Sequence, residues 1–370
     1  MRQKAILSAS FLITLIIIIS CGKNNSTGGS GTNPPPTGPT ILKDVSSIPI
    51  GVGISYDLMK NNATYSALVK AQFDRVTAEY QMKHGANIKN DGSFDFTRTD
   101  DFFSIIQAAG LTVHGHTLAW HQNNNGTYLR SLSTALQVKD ALRNWIITMV
   151  TRYKGKVTGW DVANEVVVDG TGSLRTSSNS SGSGGDSFYW ADYLGRSYID
   201  SAFVWANTAD PNAKLFINDY NLEIDNRKLD STIKIINELK AASVPIHGVG
   251  LQMHISINTS NAGIDNAFQK LAATGLLIHV SEMDIRINPS NTTPFTPTSA
   301  LLDQQAAKFK YVAESYFRNV PAAQRYGITV WDLTDADSWI VVGGKQDAPT
   351  LFDASYNKKV AFTEYIKGLQ

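Results

Sequence analysis

The feature that most constrains this chain is a short apolar run that recurs eight times, each time followed by an amphipathic stretch. The runs centre on IPIGVGI (48–54), FDRVTAE (73–79), LTVHGHTL (111–118), VTGWDVANE (157–165), KLFINDY (214–220), HGVGLQMH (247–254), LLIHVSEMD (276–284) and ITVWDL (328–333). Helical periodicity fills the intervals, over 61–71, 99–109, 134–153, 192–208, 226–242, 261–273 and 302–319. Alternation of this kind builds a parallel sheet. Eight units predict an α/β fold of the closed (β/α)8 TIM-barrel type rather than an open doubly wound sheet. The chain has 370 residues, 42% of them hydrophobic, enough to fill such a barrel, which needs roughly 250. Neither GxGxxG after the first strand nor GxxxxGK(S/T) occurs, which removes the commonest nucleotide-binding readings.

The second constraint is where the polar residues fall. Glu79, His116, Asn164, Glu165, Asn218, Asp219, Gln252, His254, Glu282, Asp284 and Trp331 all lie near the C-terminal ends of the strand candidates. In a barrel those ends converge on one face, where active sites are built. Packing explains a few such residues, but not polar ends on seven separate strands. Glu165 and Glu282 carry the sharpest chemistry. Hydrolysis of an acetal needs one carboxyl to give a proton to the leaving oxygen, and a second, ionised, to attack the anomeric carbon or activate water. A strand-end Glu taken alone is as often a structural ion-pair member. Here Asn164 precedes Glu165, and the barrel brings His254 and Asp284 near Glu282.

These residues sit in motifs that resemble glycoside hydrolase family 10, the retaining endo-β-1,4-xylanases. The acid/base motif WDVxNE stands at Trp160–Glu165, and the nucleophile motif at Ser281-Glu282-Met283-Asp284. GHTLxWH runs from Gly115 to His121; Asn218-Asp219-Tyr220-Asn221, Gly250–His254, and Trp331 with Asp335, Ser338 and Trp339 follow in family order. The resemblance covers roughly residues 45–368. It implies that Glu165 is the general acid/base and Glu282 the nucleophile of a double displacement through a covalent glycosyl-enzyme. Asn164 would bond the sugar 2-hydroxyl, and His254, backed by Asp284, would orient Glu282. His116, Lys83 and Gln252 would touch sugar at the cleavage point, with Glu79 and Tyr80 on the glycone side. Trp120, Trp331 and Trp339 would wall the glycone subsites, and Asn218 and Tyr220 would belong to the floor or the aglycone side. No cofactor or metal is implied. The spacing His114-x-His116, with His121 close by, also suits zinc, but a catalytic metal needs three ligands and an open position, and the family reading accounts for all three histidines without it.

The sequence departs from the family in three places. The segment ENxMKW reads Glu79-Tyr80-Gln81-Met82-Lys83-His84, so Tyr80 replaces an Asn that would bond a glycone sugar. Tyrosine offers one hydroxyl where an amide offers paired donor and acceptor. Asp332 replaces the Gly that usually follows the late Trp, adding a charge beside the subsites. Residues 170–187, GTGSLRTSSNSSGSGGDS, form a Gly/Ser-rich insertion after the Glu165 strand; its composition reads as a mobile loop on the leaving-group side.

The N-terminus is read as a targeting device. Arg2 and Lys4, the apolar run FLITLIIII and then Ser20-Cys21 resemble a lipoprotein signal, with cleavage after residue 20 and lipid on Cys21, the only cysteine. The apolar run is shorter than the roughly 20 residues of a membrane span. Residues 21–40 are Gly-, Ser- and Pro-rich and make a tether, leaving 41–370 as the catalytic domain. A formal charge of +1 without a basic block argues against nucleic acid. The expectation is a bacterial cell-envelope, lipid-anchored, monomeric endo-1,4-β-xylanase acting on xylan and xylo-oligosaccharides. The alternatives are a glycosidase or transglycosylase for mixed-linkage β-glucan or decorated xylan, and a non-catalytic glycan-binding surface lipoprotein.

Overall fold

The computed structural model describes residues 40–180 and 184–370. The expected signal segment, Cys21 and nearly all of the tether therefore lie outside the described residues. Eight parallel strands close into a ring: β1 (Ile50–Ile54), β2 (Arg75–Ala78), β3 (Thr112–Ala119), β4 (Val157–Asn164), β5 (Lys214–Asp219), β6 (Gly248–Leu251), β8 (Leu277–Arg286) and β9 (Arg325–Val330). Neighbours follow in chain order, with β1 pairing both β2 and β9, and the β6–β8 ladder completing the circle. β7 (His254–Ser256) is a short extension beside the outer end of β8. This is the expected (β/α)8 barrel. Every residue of β1, β2 and β6 is buried, because parallel strands are covered by side chains inside and by helices outside.

The run at 247–254 is two pieces rather than one strand. Met253 takes a left-handed backbone (φ 58°), which breaks the ladder and re-aims His254 as the first residue of β7. The helix expected over 192–208 is likewise divided, into Trp190–Leu194 and Ser197–Ala209, at Gly195 with φ 58°. The helix expected over 134–153 forms at Ala135–Arg152 behind a capping box, in which Thr134 and Gln137 satisfy each other's backbone N–H groups. A last helix, Val360–Leu369, has no counterpart among the expected elements. It buries Phe362, Tyr365, Ile366 and Leu369 against helix Ser299–Asn319, and as a single short amphipathic turn of sequence it gives little periodicity to read.

Left-handed backbone gathers on one face of the barrel. Asn123, Glu165, Asn221, Met253 and Asp332, with φ between 53° and 63°, all lie just beyond the C-terminal ends of β3, β4, β5, β6 and β9. For residues with a Cβ this conformation costs roughly 1–2 kcal/mol each, and such strain concentrates where side chains must be aimed rather than merely packed. One glycine answers a complementary demand. A Cβ on Gly53 would lie 2.6 Å from the Trp331 ring, so β1 carries no side chain there and the indole lies flat across its end.

Candidate active site

The converging strand ends enclose a cleft of about 660 Å³. Of the residues singled out in the sequence, Glu79, Lys83, His116, Trp120, Glu165, Tyr220, Gln252, His254, Glu282, Asp284, Trp331 and Trp339 line it. Asn164, Asn218 and Tyr80 do not. Asn218 is fully buried, and instead of meeting sugar it lies beneath Glu282. The reason is register: Asn164 and Asn218 face each other on the β4–β5 ladder, so both amides are used inside the wall. Tyr80 stands at the rim, 45% exposed, with Asp186 near enough, together with partial burial, to raise its hydroxyl above the usual phenol value.

Glu282, in the middle of β8, is gripped from three sides. Its Oε1 accepts from Asn218 Nδ2 at 2.8 Å and lies 3.9 Å from His116 Nδ1; its Oε2 is 3.4 Å from His254 Nε2. Burial alone would raise this carboxyl, but His116 and His254 outweigh it and hold it below the ordinary Glu value. His254 is itself fixed by Asp284, whose Oδ2 lies 2.7 Å from Nδ1 and also accepts from Trp339 Nε1 at 2.7 Å. Burial would lower the imidazole, but Asp284 and Glu282 carry it well above the usual His value. The arrangement is that of a permanently ionised, immobile carboxylate facing the cleft.

His116 is oriented in the same way. Asp161 of β4 takes His116 Nδ1 on one oxygen at 2.9 Å and His114 Nε2 on the other at 3.1 Å. Although buried, Asp161 is held well below the usual carboxylate range by these two rings. The His-x-His spacing thus serves one bridging carboxylate on the next strand.

Glu165 is held differently. It is the first residue past β4, with φ 55°, so the ladder ends and the side chain turns over the cleft. Its carboxylate receives one good hydrogen bond, from Gln252 Nε2 at 3.2 Å, with His121 Nδ1 at 3.9 Å. Burial, then Arg175 and Lys228, push His121 down to about 3, so this ring is neutral. The backbone is gripped more firmly than the carboxylate. Arg175 Nε donates to the Glu165 carbonyl at 2.6 Å, while Nη2 reaches the Val167 carbonyl and the Tyr220 hydroxyl, each at 3.0 Å. Asn164 sits behind: with its amide oxygen turned to Trp120 it accepts the indole N–H at 3.2 Å, and its nitrogen donates to the Asn218 carbonyl at 3.2 Å.

Flat apolar surface frames the two carboxylates. Trp331 stands edge-on to His116 and His254, with ring centres 5.7 and 6.3 Å away, and Trp339, 52% exposed, closes against His254 at 5.1 Å. Trp120 lies across the cleft under the Lys83 ammonium, which is 4.6 Å from its ring centre. On the other side the Tyr220 ring rests on Lys228 Nζ at 3.3 Å, and that ammonium is neutralised by Asp219 and Asp169, each at 2.8 Å.

The insertion is more ordered at both ends than its composition suggests. Residues 166–175 form a tight hairpin through the Val167–Leu174 bridge, tied by Asp169 to Lys228 and Asn221. Its far end returns along the opposite flank: Asp186 accepts from the Asn123 and Asn124 N–H groups, and Arg130 binds the Ser187 carbonyl. The segment thus touches both flanks of the catalytic face, not the leaving-group side alone. Sequence reasoning missed Arg175, His121, Asn221 and Arg286, all of which line the cleft. The signal for Arg175 was a lone cation in a Gly/Ser-rich stretch shortly after a strand-end Glu.

The sequence profile described as Glycosyl hydrolase family 10 matches residues 40–367. An endo-β-1,4-xylanase of Cellvibrio japonicus is 34% identical over 357 residues, covering 89% of this chain and 57% of that protein. An endo-1,4-β-xylanase of a Caldicellulosiruptor species is 34% identical over 331 residues, covering 86% and 46%. The chain therefore spans about half the length of these two relatives. Among solved structures, a family 10 protein of Paenibacillus barcinonensis superposes with a TM-score of 0.82 at 31% identity, covering 89% of this chain and 97% of that one. A xylanase of Cellvibrio japonicus in complex with xylopentaose gives 0.81 at 33% identity, covering 89% and 69%.

Proposed function

The chain belongs to glycosyl hydrolase family 10, and from that premise we propose that it is an endo-1,4-β-xylanase acting by retaining double displacement. The observation that carries the reading is the contrast between two cleft-facing carboxylates. Glu282 is kept ionised by Asn218, His116 and His254, as an attacking group must be. Glu165, with a single good hydrogen bond on its carboxylate, is free to move a proton. Glu165 protonates the glycosidic oxygen while Glu282 Oε attacks the anomeric carbon; the deprotonated Glu165 then takes a proton from the water that releases the sugar from Glu282. Trp331, Trp339 and Trp120 offer flat faces to xylose rings, which have no charge to be recognised and stack on aromatic surface. The complex of a related xylanase with xylopentaose supports a chain of xylose units as the occupant of this open cleft.

We further propose that the domain is held at the cell envelope by lipid on Cys21, with residues 21–40 as the tether. The support is the basic start, the apolar run and the Ser20-Cys21 junction. Among the described residues no helix is long and apolar enough to cross a membrane. The test of activity is product analysis with the purified protein on plain xylan, arabinoxylan, glucuronoxylan and mixed-linkage β-glucan. Short xylo-oligosaccharides of retained anomeric configuration from the xylans, with β-glucan untouched, are expected. Strong release from β-glucan and little from any xylan would overturn the substrate assignment.

A further inference from the structure

A second group of carboxyls stands at the glycone end of the cleft, apart from the catalytic pair. Glu79, just past β2, lines the cleft and is in side-chain hydrogen-bond contact with Asp332, just past β9. Two carboxylates make such a contact only when one of them carries a proton, because an ionised carboxylate is acceptor-only. Asp332 is 2% exposed. Its Oδ2 accepts the Trp339 backbone N–H at 2.6 Å, and its Oδ1 is buried without a partner among the described residues, as is Glu79 Oε1. Asp332 thus joins Glu79 to the chain at Trp339, and it adjoins Trp331, so three components of the glycone wall hang on one side chain. The left-handed backbone of Asp332 (φ 63°) explains why glycine suits this position in the family it resembles. It also shows that the carboxyl is present at a cost.

We propose that Asp332 is a positioning residue for the glycone side of the cleft, holding Glu79 toward the sugar through a hydrogen bond that contains one shared proton. The inference rests on the xylanase reading of the cleft. Neighbouring charges agree with it. Asp337 faces both carboxyls, its own oxygens occupied by the N–H groups of Leu333 and Thr334 and by the Thr334 hydroxyl. Lys83 is the one cation that acts on Glu79; it is buried and divided among Glu282, Glu165, Glu79 and Asp332. Asp284 adds further negative charge near Asp332, and the Tyr65 hydroxyl also faces the group. Burial, then Asp337, pushes Glu79 up to about 7, and burial, then Glu79, pushes Asp332 well above the usual carboxylate value. The sign follows: groups raised in this way hold their proton at and below neutrality, and the contact is lost as pH rises through the raised value.

The test is the pH dependence of KM and kcat for an aryl β-xylobioside, in the wild-type protein and in Asp332→Asn and Asp332→Gly. Asparagine tolerates the left-handed backbone and supplies a permanent donor to Glu79. Above about pH 7 the wild-type KM should rise by about tenfold, the scale of one hydrogen bond to a charged group, with kcat changing far less. Asp332→Asn should hold KM flat across that range, and Asp332→Gly should show the high KM at every pH. Parallel KM profiles for wild type and Asp332→Asn would overturn the proposal. Infrared difference spectra of the free protein provide a readout without substrate. A protonated-carboxyl band present near neutrality and absent in Asp332→Asn is expected, and its absence from the wild type would overturn the shared proton even if xylan is cleaved normally. Inactivity of all three proteins on every xylan, with the band intact, would count against the xylanase reading and not against the pair.

Discussion

Glu282 and Glu165 face the same cleft from β8 and from the end of β4, yet the chain supports them in opposite ways. Around Glu282 the carboxylate is fixed: one amide and two imidazoles hold its oxygens, and behind one imidazole stand Asp284 and Trp339. Around Glu165 the backbone is fixed: Arg175 and the left-handed φ set where the side chain starts, while the carboxylate keeps room to exchange partners. The difference matches the two tasks. A nucleophile gains from an oxygen that never moves and never protonates, whereas an acid that later becomes a base gains from oxygens that can trade a proton.

The largest effect that would test this contrast comes from deleting each carboxylate in turn. Glu282→Ala should lower turnover by roughly 10⁶-fold on any glycoside, the scale for removing a nucleophile. Glu165→Ala should lower turnover on xylan by roughly 10³-fold, within the usual worth of general acid–base catalysis. With a good aryl leaving group, however, formation of the glycosyl-enzyme should be nearly untouched, and added azide should restore its breakdown. Equal losses for Glu165→Ala on xylan and on the activated glycoside would show that the two carboxylates do not divide the work in this way.

A smaller effect isolates the charge that keeps Glu282 ionised. Because Glu282 lies below the ordinary Glu value, the acid limb of kcat/KM should fall below the usual carboxylate range. The sign is fixed by what each partner prefers. A depressed carboxyl stabilises the fold above its unfolded value and loses that contribution as pH falls through the folded one; His254, raised well above the usual value, loses its contribution only as pH rises through its own. The pair is therefore strongest between the two. His254→Asn removes the cation and leaves burial, the largest influence on Glu282, opposed by His116 alone. The acid limb should move upward by about one pH unit, read from kcat/KM on an aryl xylobioside. An unmoved limb would mean that His116 suffices.

How much of this was legible in the sequence depends on the distance over which a residue acts. The barrel was legible because each apolar run is local, and the two glutamates were legible because a strand end is a local feature in a barrel. Asn218 was not, because its role beneath Glu282 follows from the β4–β5 register, which places it in the wall rather than on the cleft. Asp332 was visible as an added charge but not as a partner of Glu79, since the contact forms only when β9 closes beside β1 and β2. The insertion misled by composition. Gly and Ser marked it as loose, while the hydrogen bonds that order residues 166–175 come from Lys228, Asn221 and the strand-end carbonyls, which lie elsewhere in the chain or in its backbone.

Arg175 provides the finest test of the contrast, because it touches the backbone of Glu165 and not its carboxylate. Three of its hydrogen bonds, to the carbonyls of Glu165 and Val167 and to the Tyr220 hydroxyl, fix the turn from which the side chain reaches over the cleft. A hydrogen bond to a charged group is worth about 1.5–3 kcal/mol, so Arg175→Met should lower kcat/KM on xylan by about tenfold or somewhat more. If Arg175 acts by aiming the acid, the loss should depend on the leaving group: large for a sugar, which must be protonated to depart, and about threefold or less for an activated phenol, which need not be. Arg175→Lys should recover part of the loss, since a single ammonium can reach one carbonyl but cannot span all three acceptors. A general loosening of the hairpin would slow both substrates alike, and in that case the firm backbone beneath Glu165 would be a matter of stability rather than of catalysis.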